Sequence, residues 1–258
     1  MRIHHLNCAT MRPPLAPPMV AHVLLVERPQ GLALVDTGLG TGDLADRRRL
    51  GFGFVASVRP AFDPAETAQA QIKAHGLDPA DVTDVLLTHL DLDHAGGLSD
   101  FPQARVHVHA REHEAAMAPS LREKARYIGA QWAHGPQWTT HTEGNDSWFG
   151  FPSVTALDDD VVLIPLPGHT RGHSGIAVRR DDGHWLLHAG DAFFAGTQLD
   201  QPPTCPSSLA AFQRLMAVSN QRRVDNLARL QELAHGHSNE VTVFCAHDRA
   251  QYDALSAG

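Results

Sequence analysis

The chain has 258 residues, three cysteines and a formal net charge of −8 with histidine neutral. That length buries a core without disulfide staples, and its acidic and basic residues are interspersed with no basic stripe, which excludes a specific nucleic-acid binder. Cys8, Cys205 and Cys245 are too few and too scattered for a disulfide framework or a zinc knuckle.

No stretch is long and apolar enough to span a bilayer, and the opening residues lack the apolar core of a secretory signal. No linker divides the chain. A single domain over residues 1–258, cytoplasmic and without a membrane partner, is expected, and a homodimer is compatible with it.

In chain order, residues 3–6 predict a short strand, and residues 12–18, with four prolines, an extended loop. Residues 20–27 and 32–35 are apolar runs joined by Arg28-Pro29-Gln30-Gly31, a hairpin signal. Asp36-Thr37-Gly38 ends the second run. Residues 39–62 show no period and read as a long loop or irregular helix. Residues 64–75 predict a helix with Asp63 as N-cap, Pro64 in its first position and Gly76 as its stop.

Residues 82–87 predict a buried strand running into a His/Asp-rich loop. A strand over 105–108 and a helix over 110–118 follow, with residues 120–130 also expected to be helical. Residues 131–152 carry no period. Residues 161–166 predict a strand ending at Pro167-Gly168-His169. Residues 175–179 and 184–188 flank Arg180-Asp181-Asp182-Gly183 as a second hairpin. Helices are expected over 207–217 and 220–235, then a strand over 241–245 and a short terminal helix. Sheet strands with helices outside them suit a layered sandwich.

The 18 histidines matter by position rather than number. In His89-Leu90-Asp91-Leu92-Asp93-His94, four candidate ligands follow an apolar strand, with Leu90 and Leu92 free to anchor the loop. Imidazole nitrogen and carboxylate oxygen suit zinc, iron or manganese, and a bound dication would balance carboxylates that are costly to bury alone. His169, in a glycine-rich turn, is the next candidate. Asp191 ends a further strand, where one carboxylate can serve two ions. His247 completes the set. His173 reads as packing beneath the site. Each candidate falls just past the C-terminal end of a predicted strand, where loops on a rigid sheet build sites.

In order and spacing, Thr88 to Gly97, Pro167 to Ser174, Gly190-Asp191 and Ala246-His247 resemble the motifs of the metallo-β-lactamase superfamily, as does Asp36-Thr37-Gly38. The resemblance implies an α/β fold, a four-layer αββα sandwich with metals at one edge of its two sheets. It implies that His89, Asp91 and His169 bind one divalent cation and Asp93, His94 and His247 another, with Asp191 between them. It also implies a bridging hydroxide as nucleophile, and makes Asp93 and Asp191 the candidate catalytic carboxylates. Two zinc ions are the expected cofactors. The family's first motif is H-x-H-x-D-H, and Asp91 stands where its second histidine is expected. That carboxylate lowers the charge of the first site and favours iron or manganese relative to zinc.

Within the superfamily the chain most resembles the N-acyl homoserine lactonase branch, through His5 to Pro13 and Phe244 to Asp248. That branch often carries a tyrosine shortly after the aspartate, where Ala192-Phe193-Phe194 stands here without a hydroxyl. The expected partner is a small-molecule ester or lactone, held against Phe194, Trp132 and Trp138. The loops expected to face it are residues 12–19, 50–62 and 127–151. Two alternatives follow from Asp91: a di-iron redox protein served by a separate flavoprotein, or a non-catalytic binder with a degraded site.

Overall fold

Buried side chains run continuously along the central strands and successive ones point to opposite faces, so each sheet has two apolar faces to cover. The computed structural model describes residues 1–257. Its first sheet runs in the order β1 (Arg2–Met11), β2 (Met19–Arg28), β3 (Gly31–Val35), β4 (Val82–Leu86), β5 (Arg105–His109) and β6 (Gln137–His141). A small ribbon pairs β7 (Ser147–Trp148) with β8 (Phe151–Pro152). The second sheet holds β9 (Val154–Thr155), β10 (Val161–Pro165), β11 (Ser174–Arg179), β12 (Trp185–His188) and β13 (Val241–Phe244), ordered β13-β12-β11-β10-β9. The helices are α1 (Thr41–Ala45), α2 (Gly51–Val58), α3 (Ala68–Ala74), α4 (Ala110–Met117), α5 (Ser207–Met216), α6 (Asn220–Gly236) and α7 (Arg249–Ser256).

Between the sheets, Leu24 and Val26 of β2 and Val35 of β3 meet Leu163 of β10, Ile176 of β11 and Phe244 of β13. The alternate residues Val23, Leu25 and Leu34 point the other way, onto Ile72 of α3 and Ala115 of α4. Ile164, Leu187 and Val243 do the same beneath Leu230 and Leu233 of α6. The result is four layers, helix–sheet–sheet–helix. Both expected hairpins form: β2 pairs antiparallel with β3 and β11 with β12.

Local signals fail where distant contacts take over. Residues 120–130 are turns closed by a 3-10 turn at Gly129–Gln131, not a helix. Here Glu123 accepts from the Ser120 amide and hydroxyl. Arg122 and Arg126 donate to carbonyls of Leu215, Met216, Ala217 and His169. Those tertiary bonds outweigh helix propensity. The expected helix over 64–75 divides at Thr67, whose hydroxyl caps α3, because the Glu66 carboxylate turns aside to bond the Thr10 amide at 2.6 Å. The opening strand is longer than expected, reaching Met11. Residues 131–152, expected to be irregular, contribute β6, which extends the first sheet in parallel with β5.

No helix among the described residues is long and apolar enough to cross a membrane. The turn after β3 is tightly built: Gly38 has φ +64°, and a Cβ there would lie 2.2 Å from the Cys8 Cβ. Gly38→Ala is therefore expected to cost about 2–4 kcal/mol of stability, read as a lower urea midpoint at unchanged slope. A wild-type midpoint would show that the turn relaxes freely.

Candidate metal centre

Strand ends from both sheets deliver the site. His89, His169, Asp191 and His247 each lie three or four residues past β4, β10, β12 and β13. Asp91, Asp93 and His94 follow His89 in the loop that Leu90 and Leu92 fasten to the interior, both buried.

Asp191 lies at the centre. Its Oδ1 is 3.0 Å from His247 Nε2 and 3.4 Å from His94 Nε2, and its Oδ2 is 3.3 Å from His169 Nε2 and 3.8 Å from His89 Nε2. Asp91 Oδ2 is 2.9 Å from His169 Nε2 and 3.5 Å from His89 Nε2. Asp93 Oδ2 is 3.7 Å from His247 Nε2. Three sets of donor atoms each fall within 4.8 Å: His89–Asp91–His169, His89–His94–Asp191 and Asp93–His94–His247. Thus all seven residues singled out in the sequence converge.

The chemistry of the donors fits divalent cations. His89 Nε2, His94 Nε2 and Asp191 Oδ1 are buried without a hydrogen-bond partner, an arrangement that needs a physical reason in a folded protein. Groups behind the site set the rings' orientation. Asp36 accepts from His94 Nδ1 at 2.8 Å and from the Thr88 amide and hydroxyl, both at 2.8 Å. Val20 O accepts from His247 Nδ1 at 2.8 Å. A ring that donates through Nδ1 turns the Nε2 lone pair inward, as metal-ligating imidazoles do. His173 donates to Leu166 O and accepts from the Asp191 amide at 2.9 Å, so it holds the backbone of the central carboxylate.

Electrostatics agree with this arrangement. Burial opposes ionisation of Asp191, but His247, His94 and His169 outweigh it and hold the carboxyl well below the usual range. Burial would likewise depress His94, yet Asp191 and Asp36 raise its pKa well above the ordinary histidine value.

One residue of the site escaped the sequence reading. Arg126 is buried, with Nε 2.7 Å from Asp91 Oδ1 and Nη2 2.8 Å from Asp91 Oδ2 and 3.1 Å from His169 Nε2. Burial opposes the charge of Asp91, and Arg126, then His89, more than offset it. The only hint in the sequence was that a carboxylate in a histidine's place needs a counter-charge, and that did not say from where.

A cavity of about 830 Å³ opens onto the site, with Asp91, Asp93, Asp191, His169 and His247 on its floor. Its walls are Phe54 of α2, Phe194, and Leu209, Phe212 and Met216 of α5, with the proline-rich loop at Pro13 to Ala16 on the rim. Trp132 and Trp138, expected here, do not line it. Both pack on the helix side of the first sheet. Trp138 lies in β6 beside Val106 and edge-on to His113. Helix α5 supplies the apolar wall instead.

Comparison with known proteins agrees with the geometry. Residues 16–243 match the model of the metallo-beta-lactamase superfamily. A probable metallo-hydrolase of Mycobacterium tuberculosis is 46% identical over 257 residues, covering 98% of this chain and 82% of that protein. An N-acyl homoserine lactonase of Agrobacterium fabrum is 28% identical over 226 residues, covering 87% of this chain and 80% of that protein. A Bacillus thuringiensis structure with N-decanoyl-L-homoserine at its active site shares the fold. It superposes with TM-score 0.75 at 18% identity, over 98% of this chain and 95% of that one.

The support given by Asp36 is testable. Asp36→Asn keeps the shape and removes the charge facing His94. It is expected to weaken zinc binding about 10–100-fold in calorimetric titration of chelator-stripped protein. An unchanged affinity would show that His94 is positioned without it.

Proposed function

The chain belongs to the metallo-beta-lactamase superfamily, and from that premise we propose that it is a divalent-metal-dependent hydrolase of carboxylic esters with a bulky apolar acyl group, most readily a lactone. The observation that carries this reading is a cluster of carboxylates and imidazoles at the bottom of a largely apolar cavity, whose charged lining beyond that cluster is Arg122, Glu123 and Arg126. His89, Asp91 and His169 would hold one cation and Asp93, His94 and His247 the other, with one Asp191 oxygen toward each. When bound, such cations would supply Lewis acidity, lowering the pKa of an attacking water and polarising the scissile carbonyl. Zinc suits this imidazole-rich set.

The chain's own groups divide the remaining work. The Asp93 side chain is 13% exposed against 5% for Asp191. It is the carboxylate placed to take a proton from the water and hand it to the leaving alkoxide oxygen. Phe194 lies with its ring 5.0 Å from that of His247. Having no hydroxyl, it orients the acyl group by packing rather than by a hydrogen bond. Leu15 and Leu215, 84% and 70% exposed, extend the apolar surface to the mouth. Such walls select a hydrocarbon chain, since each buried methylene contributes about 0.8 kcal/mol.

The di-iron redox alternative drew on Asp91 standing where the motif has a histidine, a replacement that di-iron members of the superfamily also carry. The relatives found, a probable metallo-hydrolase and N-acyl homoserine lactonases, favour hydrolysis over that redox chemistry. The lactone reading also rests on the names of the relatives, several of which are N-acyl homoserine lactonases.

Two outcomes check the proposal. Asp191→Ala, folded by circular dichroism, is expected to lose hydrolysis of a decanoyl lactone entirely, and chelator treatment of the wild type should do the same until zinc is restored. Full turnover in that variant would remove the proposed mechanism. Phe212→Ala should lower kcat/KM for a decanoyl substrate about 10-fold and leave an acetyl substrate nearly unchanged. Equal losses on both would show that α5 does not contact the acyl chain.

A further inference from the structure

We propose that Arg126 is a built-in competitor for one of the two cation positions. The Asp93–His94–His247 position then fills first, and the His89–Asp91–His169 position fills only as the guanidinium gives way. This rests on the metal dependence proposed above.

The argument is about lone pairs and charge. A guanidinium has donors and no acceptor. When His169 Nε2 is unprotonated, as a cation ligand must be, Arg126 Nη2 at 3.1 Å is therefore placed to donate to it in competition with a cation, while Asp91 Oδ2 lies 2.9 Å from the same histidine nitrogen. The bond from Nη2 uses the same lone pair a cation needs. Nη2 is also 2.8 Å from Asp91 Oδ2, so it contacts two of the three donors of this position. Arginine stays charged at any working pH, and it repels a dication seeking the atoms it holds.

Arg126 is also fastened there. Nη1 donates to His169 O at 3.1 Å and to Met216 O at 3.3 Å, and Nε lies 2.7 Å from Asp91 Oδ1. Both terminal nitrogens therefore have hydrogen-bond partners, and Nε faces the Asp91 carboxylate as an ion pair. The other position is different. Among the described residues, Asp93 and Asp191 are ion-paired only with histidines. The two halves of the centre share Asp191 but differ in their fixed charges: Arg126 stands against one, and the Asp36 carboxylate backs His94 in the other.

A contrary role would have the opposite sign. If Arg126 merely held Asp91 in position as a ligand, its removal would weaken the first-motif cation rather than strengthen it.

The test is zinc titration of the chelator-stripped full chain by calorimetry, with cobalt(II) absorbance as a second readout. Wild type should bind one equivalent tightly and a second about 100-fold more weakly. His247→Ala should remove the tight equivalent and His169→Ala the weak one. Arg126→Gln should tighten the weak equivalent at least about 10-fold and leave the tight one unchanged, whereas Arg126→Lys, keeping the charge, should retain most of the gap. Two equivalents of equal affinity in the wild type would overturn the inference alone and leave the metal dependence standing. So would a weak equivalent that stays the same or weakens in Arg126→Gln. Should Arg126→Gln fail to fold, the wild-type isotherm and the two histidine variants still decide. Folded wild type that binds no metal would overturn both.

Discussion

Seven ionisable side chains meet at one edge of two sheets, and the Asp191 carboxylate is the group on which their mutual arrangement depends. Each of its oxygens faces two imidazole nitrogens, one pair from each half of the centre. A buried charge so placed is tolerable only among opposite charges and donors. The surrounding backbone is shaped to allow it. Gly190, just before Asp191, has φ +53°, and a Cβ there would come within 2.7 Å of His173 Nε2. Only glycine lets His173 approach closely enough to accept from the Asp191 amide. Behind His94, Asp36 sits at φ 59°, a strained conformation for a non-glycine residue, and holds both that ring and the Thr88 amide.

Two parts of the molecule with different chemistry thus meet at one surface. The floor is ionic and the walls are largely apolar, and most of the walls come from segments outside the sheets, the proline-rich loop, α2 and α5, with Met11 of β1 and Met19 of β2 beside them. This separation leaves the centre held by strand ends while the cavity wall is built mostly from loops and helices. Function proposed for the site follows that division, with charge stabilisation on the floor and chain-length selection on the walls.

The carboxylate at position 91 is not an isolated departure from a histidine motif. It comes with a guanidinium, and the pair together is as neutral as an imidazole. A sequence comparison of the motif alone would read Asp91 as added negative charge. The contact with Arg126 sets a positive charge against it, and makes the proposed difference in affinity between two cation positions the property to measure.

What the sequence determined by itself was local. Apolar periodicity and turn residues marked both hairpins, the strands that carry His89, His169, Asp191 and His247, and the helices α5 and α6. The cluster from His89 to His94 was legible because its ligands are neighbours in the chain, and the order of the four motifs identified the fold. Tertiary structure alone decided the rest. Arg126 lies 35 residues from Asp91, and no spacing rule links the two. Residues 120–130 read as helix because propensity cannot register bonds made to Leu215, Ala217 and His169. Trp132 and Trp138 read as pocket walls because an aromatic residue buries equally well against a sheet or a ligand. The pairing of β6 with β5 turned Trp138 to the core, and Trp132, which ends the 3-10 turn at Gly129–Gln131, packs on the same cluster. Contacts between distant segments leave no periodic trace in a single chain, and the face a side chain presents is set by its partners.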